Sequence, residues 1–203
     1  MVDGTSVSIA VIGGALESAE RSEGIELGRR VLSGQRQALV SVSDTAPDAI
    51  ATMAERAVAM AREAPEDPTI GRADPGDWVA APDIDGLELA DPADEPAPDE
   101  LQDLAVRAEA AALGVAGVSQ VQSATAAYGR RRIFLAATNG LANGYGRTDS
   151  ALSCVAITGS GTSMERDYAG EQRIFAADLP TPEEVGLLAG ERTAERAGAR
   201  KPP

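Results

Sequence analysis

Polar and apolar residues alternate through the first forty positions of the chain. From Ser6 to Ile12, Val7, Ile9 and Val11 fall on one side of an extended backbone, with Ser6, Ser8 and Ala10 on the other. That period of two marks a half-buried strand. Gly13-Gly14 follows, a two-residue hairpin signal. The pattern then predicts a polar strand over Ala15–Ser22 and a turn at Glu23-Gly24. A third strand is expected over Ile25–Leu32, with Ile25, Leu27, Arg29 and Val31 on one face. After a turn at Ser33-Gly34 comes a fourth over Gln35–Ser43. Short strands joined by two-residue turns pair consecutively and antiparallel.

The period then changes to about 3.6. Thr45, Pro47 and Asp48 make a helix start, with Thr45 as the cap. Ile50, Met53, Ala54, Ala57 and Ala61 form one apolar stripe, and Pro65 ends the helix. Pro65 to Pro98 is rich in proline and acid but keeps apolar anchors at Ile70, Trp78, Val79, Ile84, Leu87 and Leu89. A disordered linker would lack such anchors, so an ordered, irregular strap pinned through them is expected. A second helix is predicted over Asp99–Leu113, with Leu101, Leu104, Ala105, Ala108 and Ala112 as its buried stripe and Gly114 as its stop. Strands follow over Val118–Tyr128, Arg130–Thr138, Leu141–Thr158 and Ser163–Ala176, with turns at Gly129, Asn139-Gly140 and Gly159-Ser160-Gly161. Thr181-Pro182-Glu183-Glu184 is a capping box opening a last helix to about Ala197.

The expected class is α+β: mostly antiparallel sheets, two sets of about four strands, with about three helices packed on one face. One domain is expected over 1–203, made of a meander plus helix (5–64), the acidic strap (65–98) and a helix–strands–helix region (99–198). Lys201-Pro202-Pro203 reads as an interdomain linker.

Composition narrows the chemistry. The 203 residues contain no histidine and one cysteine, and the net charge is −14. The stretch from Pro65 to Glu100 alone carries −11 of it, with Arg72 as its one basic residue. Nucleic-acid backbones are bound by neutralising phosphates with Lys and Arg, so direct nucleic-acid binding is disfavoured. No apolar run approaches the roughly 20 residues of a membrane span, and no secretory leader is expected. Cys154 has no disulfide partner and reads as a small buried hydrophobe. Zinc needs His or Cys in nearly every site, which sets it aside for this chain alone.

Four clusters invite a chemical reading. Asp83-Ile84-Asp85-Gly86 opens like a calcium loop, but Leu87 stands where a ligand is required. Gly144-Tyr145-Gly146 and Gly159-Ser160-Gly161 lack the lysine of a phosphate loop and read as hairpin turns. Arg130-Arg131-Arg132 reads as a solvated strand edge that discourages unwanted pairing. In Met164-Glu165-Arg166-Asp167-Tyr168, Glu165 and Asp167 share one strand face and Arg166 and Tyr168 the other. Without a nucleophile or base nearby, this is an ion-paired face rather than an acid–base pair.

The order of these motifs carries a resemblance. Glu23 to Gly28, Ala57 to Arg62 leading into Pro65-Glu66-Asp67-Pro68, Glu109 to Leu113, Thr138-Asn139-Gly140-Leu141, Ser150 to Cys154, Met164 to Ala169 and Asp178 to Glu183 follow one another along nearly the whole chain. Together they resemble the amino-terminal portion of PmbA/TldE-type proteins in the TldD/PmbA family, once called modulators of DNA gyrase. Asn139, Gly140, Met164, Glu165, Arg166, Asp167 and Tyr168 match that pattern, with no role assigned to them.

The resemblance implies a bacterial or archaeal cytoplasmic protein. It implies a TldD-like partner subunit, or a homo-oligomer, acting as a metalloprotease on peptide or unfolded protein substrates. The family's zinc site lies in TldD-type chains, in a His-Glu-x-x-x-His helix that is not present here, so zinc is expected only in such a partner or in a missing region. No catalytic, cofactor or metal residue carries over. The family's carboxy-terminal domain and its helix before the first strand have no counterpart among the motifs. The function expected is a non-catalytic amino-terminal domain contributing to assembly and peptide binding. The alternatives are a self-sufficient metallopeptidase with its zinc site further along, or a regulatory protein acting on DNA gyrase.

Overall fold

The computed structural model describes residues 1–79 and 82–199; the expected linker at Lys201-Pro202-Pro203 lies outside the described residues. The fold is α+β. Among the described residues, six strands, β1 (Val2–Ile12), β2 (Ala15–Ser33), β3 (Arg36–Val42), β4 (Val118–Ala136), β5 (Ala142–Thr158) and β6 (Glu165–Arg173), accompany three α-helices, α1 (Pro47–Glu63), α2 (Pro98–Leu113) and α3 (Pro182–Glu195). The strands form one sheet in the order β3-β2-β1-β4-β5-β6, rather than two sets of four.

Two expected turns are straight strand, which accounts for the lower count. Gly13 and Gly14 have φ of 62° and 72°, as a type I′ turn requires. Gly34 has φ of 60° and stands first in a turn one residue later than expected, the type II′ position. Gly24 and Gly129 have no such φ, and the chain runs extended through both. Gly129 marks a close approach instead: a Cβ there would lie 3.1 Å from an Asp149 carboxylate oxygen. Gly144 and Gly146 likewise lie inside β5, not in a turn. A Cβ on Gly144 would meet the Ile133 carbonyl oxygen at 2.7 Å. The Arg130–Arg132 run falls in β4, an interior strand, so it guards no sheet edge. Arg132 instead pairs with Asp3, and Arg130 donates to the Ala93 carbonyl oxygen at 3.4 Å.

The chain divides into two compact units. The first comprises Met1–Gly4, Glu23–Glu88 and Arg131–Gly146; the second comprises Thr5–Ser22, Leu89–Arg130 and the chain from Arg147 onward.

In the first unit α1 packs on β3. Its stripe is as read: Met53, Ala57 and Ala61 are buried. The helix cap differs, with Ala46 at the N-cap and Asp44 accepting the Ala46 N–H at 2.8 Å. Leu27 faces Val42 and Val31 faces Ala38 across the β2–β3 ladder.

The second unit holds the main core. Val7, Ile9 and Val11 of β1 join Val121, Ala124 and Ala126 of β4, Leu152, Cys154 and Ala156 of β5 and Ala169 of β6. Leu101, Ala105, Ala108 and Ala112 of α2 and Val185 and Ala189 of α3 complete it. The small residues let the helices approach closely. A Cβ on Gly186 of α3 would lie 2.0 Å from the Ala108 carbonyl oxygen, and one on Gly190 would lie 2.6 Å from Val115 Cγ2. Thr181 and Glu184 cap α3 reciprocally, as the capping box predicts.

Among the strap's described residues the anchoring differs from expectation. Ile70, Trp78, Ile84 and Leu89 are half-buried, whereas Val79 and Leu87 are 65% and 58% exposed. Hydrogen bonds do much of the fixing. Among the described residues no helix is long and apolar enough to cross a membrane.

Candidate functional site

The motif Met164–Tyr168 spans the start of β6, the last strand of the sheet. Alternation places Glu165 and Asp167 on the more covered face and Arg166 and Tyr168 on the exposed one. Asp167 is the hub. Its carboxylate accepts Arg196 Nε at 2.5 Å and the Tyr168 N–H at 2.8 Å. Both hold it below the usual carboxylate range, the Arg196 bond foremost. Its own N–H donates to Thr193 Oγ1 at 3.2 Å, and Arg192 donates to the Tyr168 carbonyl oxygen at 3.0 Å. Thr193 is fully buried on α3, and its hydroxyl reaches the Ala156 and Asp167 carbonyl oxygens at 3.3 and 3.4 Å. The carboxy-terminal half of α3 therefore clamps β6 at Asp167.

Beside this clamp lies an open groove of about 400 Å³ lined by Gln122, Val155, Arg166, Asp167, Tyr168 and Arg196. Arg166 donates to Gln122 Oε1 at 3.1 Å, Gln120 donates to the Met164 sulfur at 3.8 Å, and Tyr168 is 63% exposed. A carboxylate held ionised by a guanidinium is a poor proton donor or acceptor near neutral pH. Asp167 and the Tyr168 carbonyl thus tie α3 to the edge strand, and the ion pair is Asp167 with Arg196, from a different element than the neighbouring Arg166.

Asn139 and Gly140 lie in the β4–β5 hairpin of the first unit. Gly140 takes φ of 99° and donates its N–H to the Ala137 carbonyl oxygen at 3.1 Å. Asn139 Nδ2 donates to the Ala73 carbonyl oxygen of the strap at 2.9 Å, while its Oδ1 is buried without a hydrogen-bond partner. Asn139-Gly140 and Met164–Tyr168 belong to different units.

Two polar anchors escape a reading by pattern. Glu109, on the buried face of α2, is 2% exposed and accepts the N–H groups of Gly13 and Gly14, each at 2.6 Å. The type I′ turn aims both amides the same way, making a small anion cradle that the carboxylate fills. Thr148 is fully buried in β5; its hydroxyl accepts the Asp91 N–H at 2.7 Å and donates to the Ile174 carbonyl oxygen at 3.0 Å. Asp91 in turn accepts the N–H groups of Ala93 and Ala176, both at 2.9 Å, which hold its carboxyl below the usual range. In sequence, the only signal for Glu109 was a charged residue interrupting the alanine stripe of α2.

Among the described residues no three His, Cys, Asp or Glu side chains gather in a metal-binding arrangement. Cys154 is buried in β5, and burial pushes its thiol up to about 12, with the Glu109 charge adding to the shift. It is a protonated, inert thiol. The calcium-like Asp83 is spent on a turn, accepting the Gly86 N–H at 2.9 Å. These residues do not fit a catalytic zinc.

The family model for the PmbA/TldA metallopeptidase central domain matches residues 91–201. The chain belongs to the PmbA/TldA metallopeptidase family. Residues 1–61 match the same family's domain 1. The metalloprotease PmbA of Escherichia coli O157:H7 is 34% identical over 200 residues, which cover 97% of this chain and 43% of that protein. Solved structures that share the fold include the following two. A candidate modulator of DNA gyrase from Bacteroides thetaiotaomicron VPI-5482 superposes with a TM-score of 0.86 at 19% identity, over 98% of this chain and 45% of its own. TldE from Thermococcus kodakarensis superposes with a TM-score of 0.73 at 16% identity, over 95% and 42%. The chain thus spans less than half the length of each of these proteins.

Proposed function

We propose that this chain is the non-catalytic amino-terminal region of a PmbA/TldE-like subunit in a cytoplasmic metalloprotease complex, contributing to assembly with a TldD-like partner and to peptide binding. The observation that carries this reading is the match to domain 1 and the central domain of a metallopeptidase family in a chain of 203 residues without a histidine. On this reading zinc is held by the partner, or by a region of the protein beyond the two matched domains.

A peptide would be gripped by strand addition, which uses backbone hydrogen bonds and tolerates many sequences. Of the two terminal strands, β6 is clamped by α3 at Asp167, so β3 is the better acceptor. Its Leu39 is 67% exposed.

The test uses the full 203-residue chain with a TldD-type chain and a reduced, alkylated, unfolded polypeptide. The chain alone is expected to bind no stoichiometric zinc and cleave nothing, while the pair co-elutes and cleaves. One tightly bound zinc per copy of this chain overturns the subunit assignment. Leu39→Pro is expected to weaken polypeptide binding, because proline removes a ladder donor; unchanged affinity overturns strand addition at β3.

A further inference from the structure

Residues 71–77 of the strap are all exposed to solvent. This stretch and Val79 are fastened to the β4–β5 hairpin by three side-chain hydrogen bonds. The Arg72 guanidinium donates to Thr138 Oγ1 at 2.6 Å, Asn139 Nδ2 donates to the Ala73 carbonyl oxygen at 2.9 Å, and Asn143 Nδ2 donates to the Val79 carbonyl oxygen at 3.2 Å. Two of the three read backbone carbonyls, which every residue of every peptide supplies.

The fit is incomplete. A carboxamide lying along an extended chain can donate to one C=O and accept from one N–H. Asn139 makes only the first of these bonds, leaving Oδ1 buried and unpartnered. A buried acceptor without a donor is a standing penalty on the bound state. The strap therefore occupies this hairpin surface as an imperfect ligand, with little side-chain burial between 71 and 77 to reinforce it.

We infer that the Asn139 and Asn143 carboxamides form a backbone-reading site for an extended polypeptide, and that strap residues 72–79 occupy it in cis as a displaceable competitor. The inference rests on the peptide-binding reading above and adds to it a second contact surface and its regulation. An incoming segment that offers an N–H to Asn139 Oδ1 as well as a C=O to Nδ2 completes the pair the strap leaves half made. Asp74 and Asp77 belong to the displaced stretch, so segments without acidic side chains are favoured.

Two built-in reporters test this. Trp78 is the only tryptophan, and Arg72 is the only Lys or Arg between residues 65 and 100. The probe is an unfolded synthetic peptide with no Lys, Arg, Asp, Glu or Trp, added to the full 203-residue chain. Binding is expected to red-shift the Trp78 emission and to speed tryptic cleavage after Arg72 severalfold. Asn139→Asp, which swaps the donor for a carboxylate facing the Ala73 carbonyl, is expected to speed that cleavage without peptide and to weaken peptide binding. Replacing residues 72–79 with eight Gly and Ser residues keeps the backbone carbonyls but removes the Arg72–Thr138 bond and the half-buried Trp78 side chain and raises the entropy cost of ordering the strap, so binding is expected to tighten severalfold, as weakening a competitor would. Peptide that binds while leaving Trp78 emission and Arg72 cleavage unchanged overturns the cis-competitor idea and leaves the peptide-binding reading standing. So does a Gly/Ser chain that binds no tighter. Peptide that binds neither form sinks both.

Discussion

The α2–α3 interface and the strap over the β4–β5 hairpin hold chain in place by opposite means. Between α2 and α3, glycine and alanine bring two backbones so close that an added methyl at Gly186 would overlap the Ala108 carbonyl oxygen. Along residues 71–77 nothing is buried, and the holding of this stretch and Val79 falls to three side chains, the exposed Arg72 and the half-buried Asn139 and Asn143. Steric fit admits one arrangement and fails abruptly when altered. A few solvated hydrogen bonds are each worth about 1 kcal/mol and can be exchanged for others. The first region is suited to staying assembled and the second to opening, since weakly buried segments open locally at small cost.

The sharpest way to break this comparison is Gly186→Ala. In an exposed helix that change would stabilise by up to about 1 kcal/mol. Here the methyl has no room, and the expected loss is about 3–4 kcal/mol, which for a chain of this size lowers Tm by roughly 10 °C. Thermal unfolding followed by circular dichroism reads the sign directly. A variant as stable as the parent would mean that the helices can separate without cost and that close approach is not what fixes them.

The next effect concerns buried polar anchors. Glu109→Ala leaves the Gly13 and Gly14 amides without their acceptor, with an expected loss of about 2–3 kcal/mol. Glu109→Gln, which offers one acceptor oxygen and turns an N–H toward the other amide, should lose less. Hydrogen exchange at the two glycine amides checks that the loss is local to the hairpin. Thr148→Val keeps the shape and removes the hydroxyl shared by Asp91 and Ile174, with an expected loss of about 1–2 kcal/mol. Chemical denaturation should show a lower midpoint with an unchanged slope.

Much of the fold is legible from periodicity because both helix stripes and the Val7-Ile9-Val11 face obey it. The glycines are harder. Gly13-Gly14 is a turn and Gly24 and Gly129 are not, although each interrupts polar-apolar alternation. At Gly129 the glycine makes room for an Asp149 carboxylate 20 residues on, whereas Gly24 has no such neighbour and nothing in the structure explains it. The candidate site is legible only in part. Alternation correctly separates Glu165 and Asp167 from Arg166 and Tyr168, yet the partner of Asp167 is Arg196, 29 residues on. Glu109 and Thr148 are invisible to pattern because their value comes from backbone amides and carbonyls, which every sequence possesses.

The Asp167 clamp makes a smaller, pH-dependent contribution. Its carboxyl is held below its unfolded value by Arg196 and the Tyr168 N–H. A depressed folded pKa stabilises the fold above the unfolded value, near 3.9, and that contribution fades as pH falls toward the folded value. Asp167→Asn should therefore narrow the gap to the parent below about pH 4, and show its largest deficit at neutral pH. Tm measured from pH 3 to 7 checks this, and parallel curves for the two proteins would remove the clamp from the account.

The smallest effect belongs to the strap. Val79 is an apolar residue in the stretch where anchoring by burial was expected, and it is 65% exposed. Its carbonyl, not its side chain, is what Asn143 holds. Val79→Ser should then change stability by no more than about 0.5 kcal/mol, the range of surface substitutions, and leave cleavage after Arg72 at the parent rate. A loss above about 1 kcal/mol, or faster cleavage, would mean that the valine side chain is a true anchor. The strap would then be held as the α2–α3 interface is, by packing, and the contrast between the two regions would collapse.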